Sequence, residues 1–93
     1  MDNKPKFKMG QLVVTQGAID ALTKNNQSHN EFIDLHLAGN WGNVPPEDWA
    51  QNDESVKTGG MLLSSYLCKD KTVLWVITEA DRSVTTLLLP EEY

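Results

Sequence analysis

The chain reads as one α+β domain: an amino-terminal strand, a helical hairpin plus a third helix, and then a carboxyl-terminal three-stranded antiparallel β-meander. Three observations predict it. Apolar residues recur at helical spacing between about residues 16 and 57, and they alternate with period two from Met61 onward. Gly39, Pro45, Pro46, Gly59 and Gly60 fall between the patterned stretches, where turns and helix ends need them. With 93 residues the chain has room for a single domain over 1–93. A domain of this size buries only about two-thirds of its unfolded surface, so nearly every large apolar residue must serve the core.

Residues 1 to 6 are polar and include Pro5, which predicts a frayed terminus. Phe7 to Val14 reads as one strand ending in Leu12, Val13 and Val14, with Gly10 as a bulge or close-approach glycine. Thr15 can cap a helix over 16–25 in which Ala18, Ala21 and Leu22 share a face. Ser28 and Glu31 have capping-box spacing, so a second helix begins there. Its stripe is Phe32, Leu35 and His36, widened by Ile33 and Leu37, and Gly39-Asn40 supplies left-handed residues to end it. Pro46 suits the first turn of a third helix through about Lys57, whose acidic opening, Glu47 and Asp48, complements the helix dipole. Trp49 and Val56 share a face of that helix, and Gly59-Gly60 closes it.

The remainder is β. Met61–Cys68, Thr72–Thr78 and Val84–Leu89 are rich in Leu, Val, Ile and aromatics, and the connections at 69–71 and 79–83 are short enough for hairpins. In the middle strand both alternating sets, Val73/Trp75/Ile77 and Thr72/Leu74/Val76/Thr78, are largely apolar, which predicts a central strand. Leu87, Leu88 and Leu89 mark the last strand as a candidate edge for self-pairing.

Composition narrows the setting. Hydrophobic residues make up 40% and charged residues 23%, as in ordinary globular proteins. Cys68 is the one cysteine, so no intrachain disulfide can form and a reducing cytoplasm fits best. The opening Met-Asp-Asn-Lys lacks the apolar segment of a signal peptide, and no run approaches the roughly 18 apolar residues of a membrane span. The net charge is −5, and no Lys or Arg falls between Lys24 and Lys57. That stretch carries Glu31, Asp34, Glu47, Asp48, Asp53 and Glu54. Such a surface opposes direct binding to a phosphate backbone. It suits a protein partner with a basic surface, including one that normally holds nucleic acid.

The candidates for chemistry are few. His29 and His36 with Cys68 do not have the spacing of a zinc site, and no metal or cofactor is expected. His36, on the apolar stripe, reads first as a boundary histidine bonded to a loop carbonyl. Glu79, Asp81 and Arg82 cluster on the second hairpin turn, where turn formation alone selects such residues. Arg82 is the chain's single arginine, expected to pair with Glu79 or to dock against an acidic helix. A site gathering His36, Asn40, Trp41, Glu79, Asp81 and Arg82 would require the second helix end and the second hairpin to meet. Trp41 either plugs the core or serves as a binding anchor. Trp75 is expected in the core, and Cys68 reads as a buried, inert thiol. No phosphate loop, nucleophile elbow or metalloprotease motif is present, and no catalytic residue is assigned.

Several blocks resemble a family of short, uncharacterised bacterial proteins that recur on plasmids, prophages and other mobile elements. They are Gly10-Gln11 with Thr15-x-Gly17-Ala18, then His36-Leu37-Ala38-Gly39-Asn40-Trp41-Gly42. The longest is Trp75-Val76-Ile77-Thr78-Glu79-Ala80-Asp81-Arg82-Ser83-Val84-Thr85-Thr86, followed by Leu88-Leu89-Pro90-Glu91-Glu92-Tyr93. The family pattern usually has aspartate where this chain has Asn40. Its members are often labelled plasmid-related or restriction-associated. The resemblance implies a mobile-element context. With the acidic stretch, it gives the expectation of a non-enzymatic interaction protein that inhibits a host defence complex such as a restriction or CRISPR effector. The alternative is a small enzyme or ligand-binding module built on the His36–Arg82 cluster; a homodimer is compatible with either.

Overall fold

A computed structural model describes residues 4–93. In chain order the elements are β1 (Gln11–Val14), α1 (Gln16–Asn25), α2 (His29–Leu37), α3 (Pro46–Thr58), β2 (Leu62–Leu67), β3 (Val73–Thr78) and β4 (Val84–Leu88), closed by a 3-10 turn over Pro90–Glu92. The α+β arrangement is the one the sequence predicts. One sheet is formed in the order β1-β4-β3-β2. The meander β2-β3-β4 is antiparallel and β1 joins β4 in parallel, pairing Gln11 with Val84 through Val14 with Leu87.

That topology corrects the expectation of an edge at Leu87–Leu89. β1 covers the outer side of β4, so β3 and β4 are both interior strands and β1 and β2 form the edges. The amino-terminal strand is also shorter than the expected Phe7–Val14. Gly10 has φ +69, and its α-carbon lies so close to the next hairpin that an added Cβ would collide with the carbonyl oxygens of Arg82 and Ser83. The chain turns there, and regular pairing starts one residue later with Gln11 N–H donating to Ser83 O. Of the segment expected to fray, residues 1–3 lie outside the described residues. Lys6 N–H donates to Leu37 O, 2.9 Å, which ties the approach to β1 onto the end of α2.

The helix boundaries follow local chemistry. Thr15 caps α1 by accepting from Ala18 N–H, and Asn26 in the left-handed region ends it. Ser28 caps α2 through Asn30 N–H, whereas the Glu31 carboxylate accepts from the Gln27 side-chain amide instead of closing a capping box. Gly39, φ +83, is the left-handed residue after α2, and Asn40 is not left-handed. α3 begins at Pro46 and ends at Gly59, φ +89.

The core lies between the sheet and the first two helices. Ala18, Leu22, Phe32 and Ile33 pack on Tyr66, Leu74, Val76 and Leu87. Leu35, expected on the buried stripe of α2, is 37% exposed. In α3 the buried residues are Asn52 and Ser55, with Trp49 and Val56 only half-buried beside them. Polar residues face inward here because α3 runs beside the β2 edge, where unpaired backbone needs partners. Asn52 Nδ2 donates to Leu63 O at 2.8 Å, and its Oδ1 accepts from Leu63 N–H at 3.3 Å. One asparagine thus takes the place of a neighbouring strand. Two residues further along, Ser65 N–H donates to Trp41 O and Ser65 O accepts from Asn43 N–H, so the loop after α2 extends the same protection. The approach at Gly42 needs glycine, since φ is +75 and a Cβ would collide with Ser65 O.

Candidate functional site

The two groups of residues singled out in the sequence take different parts in the fold. His36 and Trp41 expose nothing to solvent. The His36 ring stands edge-on to Phe7 at 5.2 Å and to Trp41 at 5.5 Å, and Phe7 stacks on Trp41 at 6.1 Å. The sequence predicts Phe7 in a strand; its aromatic neighbours hold it outside the sheet.

His36 does not bond a loop carbonyl, contrary to what its boundary position in the sequence predicts. Its Nδ1 lies 2.5 Å from Ser64 Oγ and its Nε2 lies 2.9 Å from Thr78 Oγ1. Thr78 Oγ1 in turn lies 2.7 Å from Thr85 Oγ1, and Thr85 donates to the carbonyl oxygen of Met9 at 2.7 Å. A carbonyl only accepts, and that fixes the direction of the whole chain. Thr85 gives its proton to Met9 O, so Thr78 donates to Thr85, His36 Nε2–H donates to Thr78, and Nδ1 accepts from the Ser64 hydroxyl. His36 is therefore neutral and protonated on Nε2. Burial, with the nearby positive charge of Arg82 adding to it, lowers its pKa to about 3. A serine hydroxyl donating to an imidazole is the arrangement of a nucleophile and its base. Ser64 and His36 are both sealed from solvent, so here the chain joins α2, β2, β3, β4 and the approach to β1. The signal for it in the sequence was the set of hydroxyl residues, Ser64, Thr78 and Thr85, at inward-facing strand positions.

Arg82 sits at φ +61 in the second hairpin. Its guanidinium donates to Gly60 O at 2.7 Å, Ser55 O at 2.9 Å and Glu79 O at 3.1 Å, and it lies over the Phe7 ring at 5.6 Å. The arginine pairs with backbone carbonyls at the end of α3, where the helix dipole favours a cation, and not with the Glu79 carboxylate. Asp81 accepts from the Ser83 amide and hydroxyl, and these bonds lower its pKa. Glu79 is exposed. Asn40 accepts from Gly42 N–H through its side chain and from the Tyr66 hydroxyl through its carbonyl. The structure thus brings His36, Trp41 and Arg82 together around Phe7 as packing and capping groups, and leaves Glu79 and Asp81 at the surface.

The acidic residues divide as well. Glu31 and Asp34 lie on the exposed side of α2 beside a groove of about 420 Å³ that includes Pro5 and Leu35. Glu47, Asp48 and Glu54 are exposed on α3. Glu47 and Glu54 are seven residues apart and so share its outer face, about 10 Å from one another along the axis. Asp53 is exposed as well, but its Oδ1 accepts from the Trp41 indole N–H at 2.9 Å and anchors the buried ring. Among the described residues the ion pair formed is Lys24–Asp70, 3.7 Å, remote from these carboxylates in sequence. No group of three or more His, Cys, Asp or Glu among the described residues is placed to hold a metal ion, and no described helix is long and apolar enough to cross a membrane.

Comparison with protein-family models, curated proteins and solved structures finds no match for this chain.

Proposed function

We propose that the protein is a non-enzymatic, acidic interaction protein of a mobile element that inhibits a host defence complex by occupying a basic, nucleic-acid-handling surface. The observation that supports this reading is the set of exposed carboxylates on α3. Glu47, Asp48 and Glu54 stand exposed there with no Lys or Arg of the described chain paired to them. Carboxylates left without an internal partner retain their full long-range field, which steers a basic partner and repels a phosphate backbone. Glu31 and Asp34 on α2 add to the same potential. The mobile-element context rests on the resemblance of the closing Trp75–Tyr93 block. A homodimer is compatible with this function, because the acidic helix residues and the apolar strand residues belong to different elements.

The test is capture of partners from a nuclease-treated bacterial host lysate by the wild-type chain and by a Glu47→Lys, Asp48→Lys, Glu54→Lys variant. Asp53 is left intact because it holds Trp41. Reversal of the two carboxylates at the start of α3 destabilises the helix by about 0.3–1 kcal/mol each, so a melting curve accompanies the binding assay. The expected result is a protein retained by the wild type, released by salt and by added DNA, and lost in the folded variant. Equal retention by both chains would exclude the acidic surface as the contact.

A further inference from the structure

The sheet has two faces, and α1 and α2 cover one of them. The other is formed by the alternate residues Val13, Leu63, Leu67, Val73, Trp75 and Thr86, around Ile77 and Leu88. No strand position on this face carries Asp, Glu, Lys or Arg. Antiparallel strands with one side in water normally alternate apolar inward and polar outward, and these strands do not. Leu67 and Val73, paired across the β2–β3 ladder, are 46% and 36% exposed, and Val13 is 39% exposed. The centre of the face is closed, with Ile77 and Leu88 3% and 5% exposed, and the ring of Tyr93 stands edge-on to Trp75 at 5.9 Å and is itself 76% exposed.

We infer that this face is the interface of a homodimer in which two copies stack sheet on sheet about a two-fold axis. The choice of occupant follows from charge and area. A two-fold axis brings residues of one patch against the same patch of the partner, so a self-pairing face must tolerate its own charges. An uncharged face with an aromatic centre satisfies that condition, whereas a basic partner or a phosphate backbone would find no complementary charge on it. The chain's net charge of −5 is carried elsewhere. Four strands about 4.8 Å apart, of four to six residues at about 3.3 Å, span roughly 19 by 17 Å. With side-chain relief this is about 500 Å² per copy, or about 1,000 Å² for the pair, at the lower bound for a specific interface. A reversible dimer with a dissociation constant on the order of micromolar or weaker is the consequence. Asp48 comes near the Leu63 corner of this face, but Glu47 and Glu54 lie on the outer side of α3, so either reading can fail without the other.

Sedimentation velocity of the full chain over a concentration series tests the inference. The wild type should move from the 10.4 kDa monomer toward twice that mass. Leu67→Lys and Val13→Lys, at positions already in contact with water, should each weaken association by about tenfold or more, since each places like charges in an apolar contact. Their urea midpoints should stay close to wild type, and Glu47→Lys should dimerise normally. A wild type that stays monomeric throughout, or a dimer that neither lysine weakens, would overturn the inference. So would a monomer that binds an apolar dye at this face, with binding lost in the lysine variants, because the face would then belong to a different partner.

Discussion

At the scale of single residues, the most consequential side chain is His36, and its role comes from direction as well as burial. The Met9 carbonyl orients a chain of four hydrogen bonds through Thr85, Thr78, His36 and Ser64. Thr78→Val keeps the shape but removes the acceptor of Nε2–H and the donor to Thr85. Leaving buried polar groups unpaired should destabilise the fold by about 1–3 kcal/mol in urea unfolding. The same histidine should make the fold sensitive to acid. Its folded pKa, about 3, lies below the unfolded value of 6.5, so between those limits the unfolded chain binds more protons. Stability should therefore fall as pH drops below about 6.5, by up to about 1.4 kcal/mol per pH unit from this group. That window opens above the range in which ordinary carboxylates titrate. Urea midpoints at pH 7.5, 6 and 5 should show the slope, and His36→Gln, which does not titrate, should flatten it. The helical spacing of Phe32 and His36 was legible in the sequence. The partners of His36 were not, because Ser64 and Thr78 are 28 and 42 residues away.

Elements meet at the two sheet edges, which the chain treats differently. β2 is closed by Asn52 and by the Trp41–Asn43 segment, while among the described residues β1 has no neighbour on its outer side. Asn52→Leu should leave Leu63 N–H and C=O unpaired, lower stability by about 1–3 kcal/mol, and promote aggregation through the exposed edge. Light scattering during thermal unfolding would register both effects. β1 itself depends on Gly10. Gly10→Ala combines a positive φ with a Cβ driven into two carbonyl oxygens, and should destabilise by more than the roughly 1 kcal/mol of a simple left-handed penalty. Amide exchange in β1 and β4 should speed up more than in β2. Sequence pattern found α1 to its ends because Thr15 and the polar Asn25-Asn26-Gln27 turn mark them locally. It misjudged the inward side of α3, whose buried residues are polar because they answer backbone groups on a strand, a demand that hydrophobic spacing does not encode.

For the whole molecule, the sheet closes by pairing residues 11–14 with 84–87, the two ends of the chain. Glu92 reinforces that closure from the last turn. Its carboxylate accepts from Thr15 Oγ1 at 2.5 Å, from Gly17 N–H at 3.1 Å and from Leu89 N–H at 2.8 Å, bonds that lower its pKa. Glu92→Gln removes the charge from the start of α1 and should lower the melting temperature, because a carboxylate there is favoured by the helix dipole and by charge-assisted bonds. The sequence by itself determined the class of fold, the order of its elements, most helix ends and the distribution of charge, since spacing, capping residues and composition act over a few residues. Only the tertiary structure decided that β1 lies parallel to β4 and removes the expected edge. It also decided that His36, Trp41 and Arg82 pack together as support, that Asp53, though exposed, anchors a buried ring, and that Trp75 faces away from the helices. Each of these depends on which distant backbone comes to lie against a residue, and a local pattern holds no information about a neighbour tens of residues away.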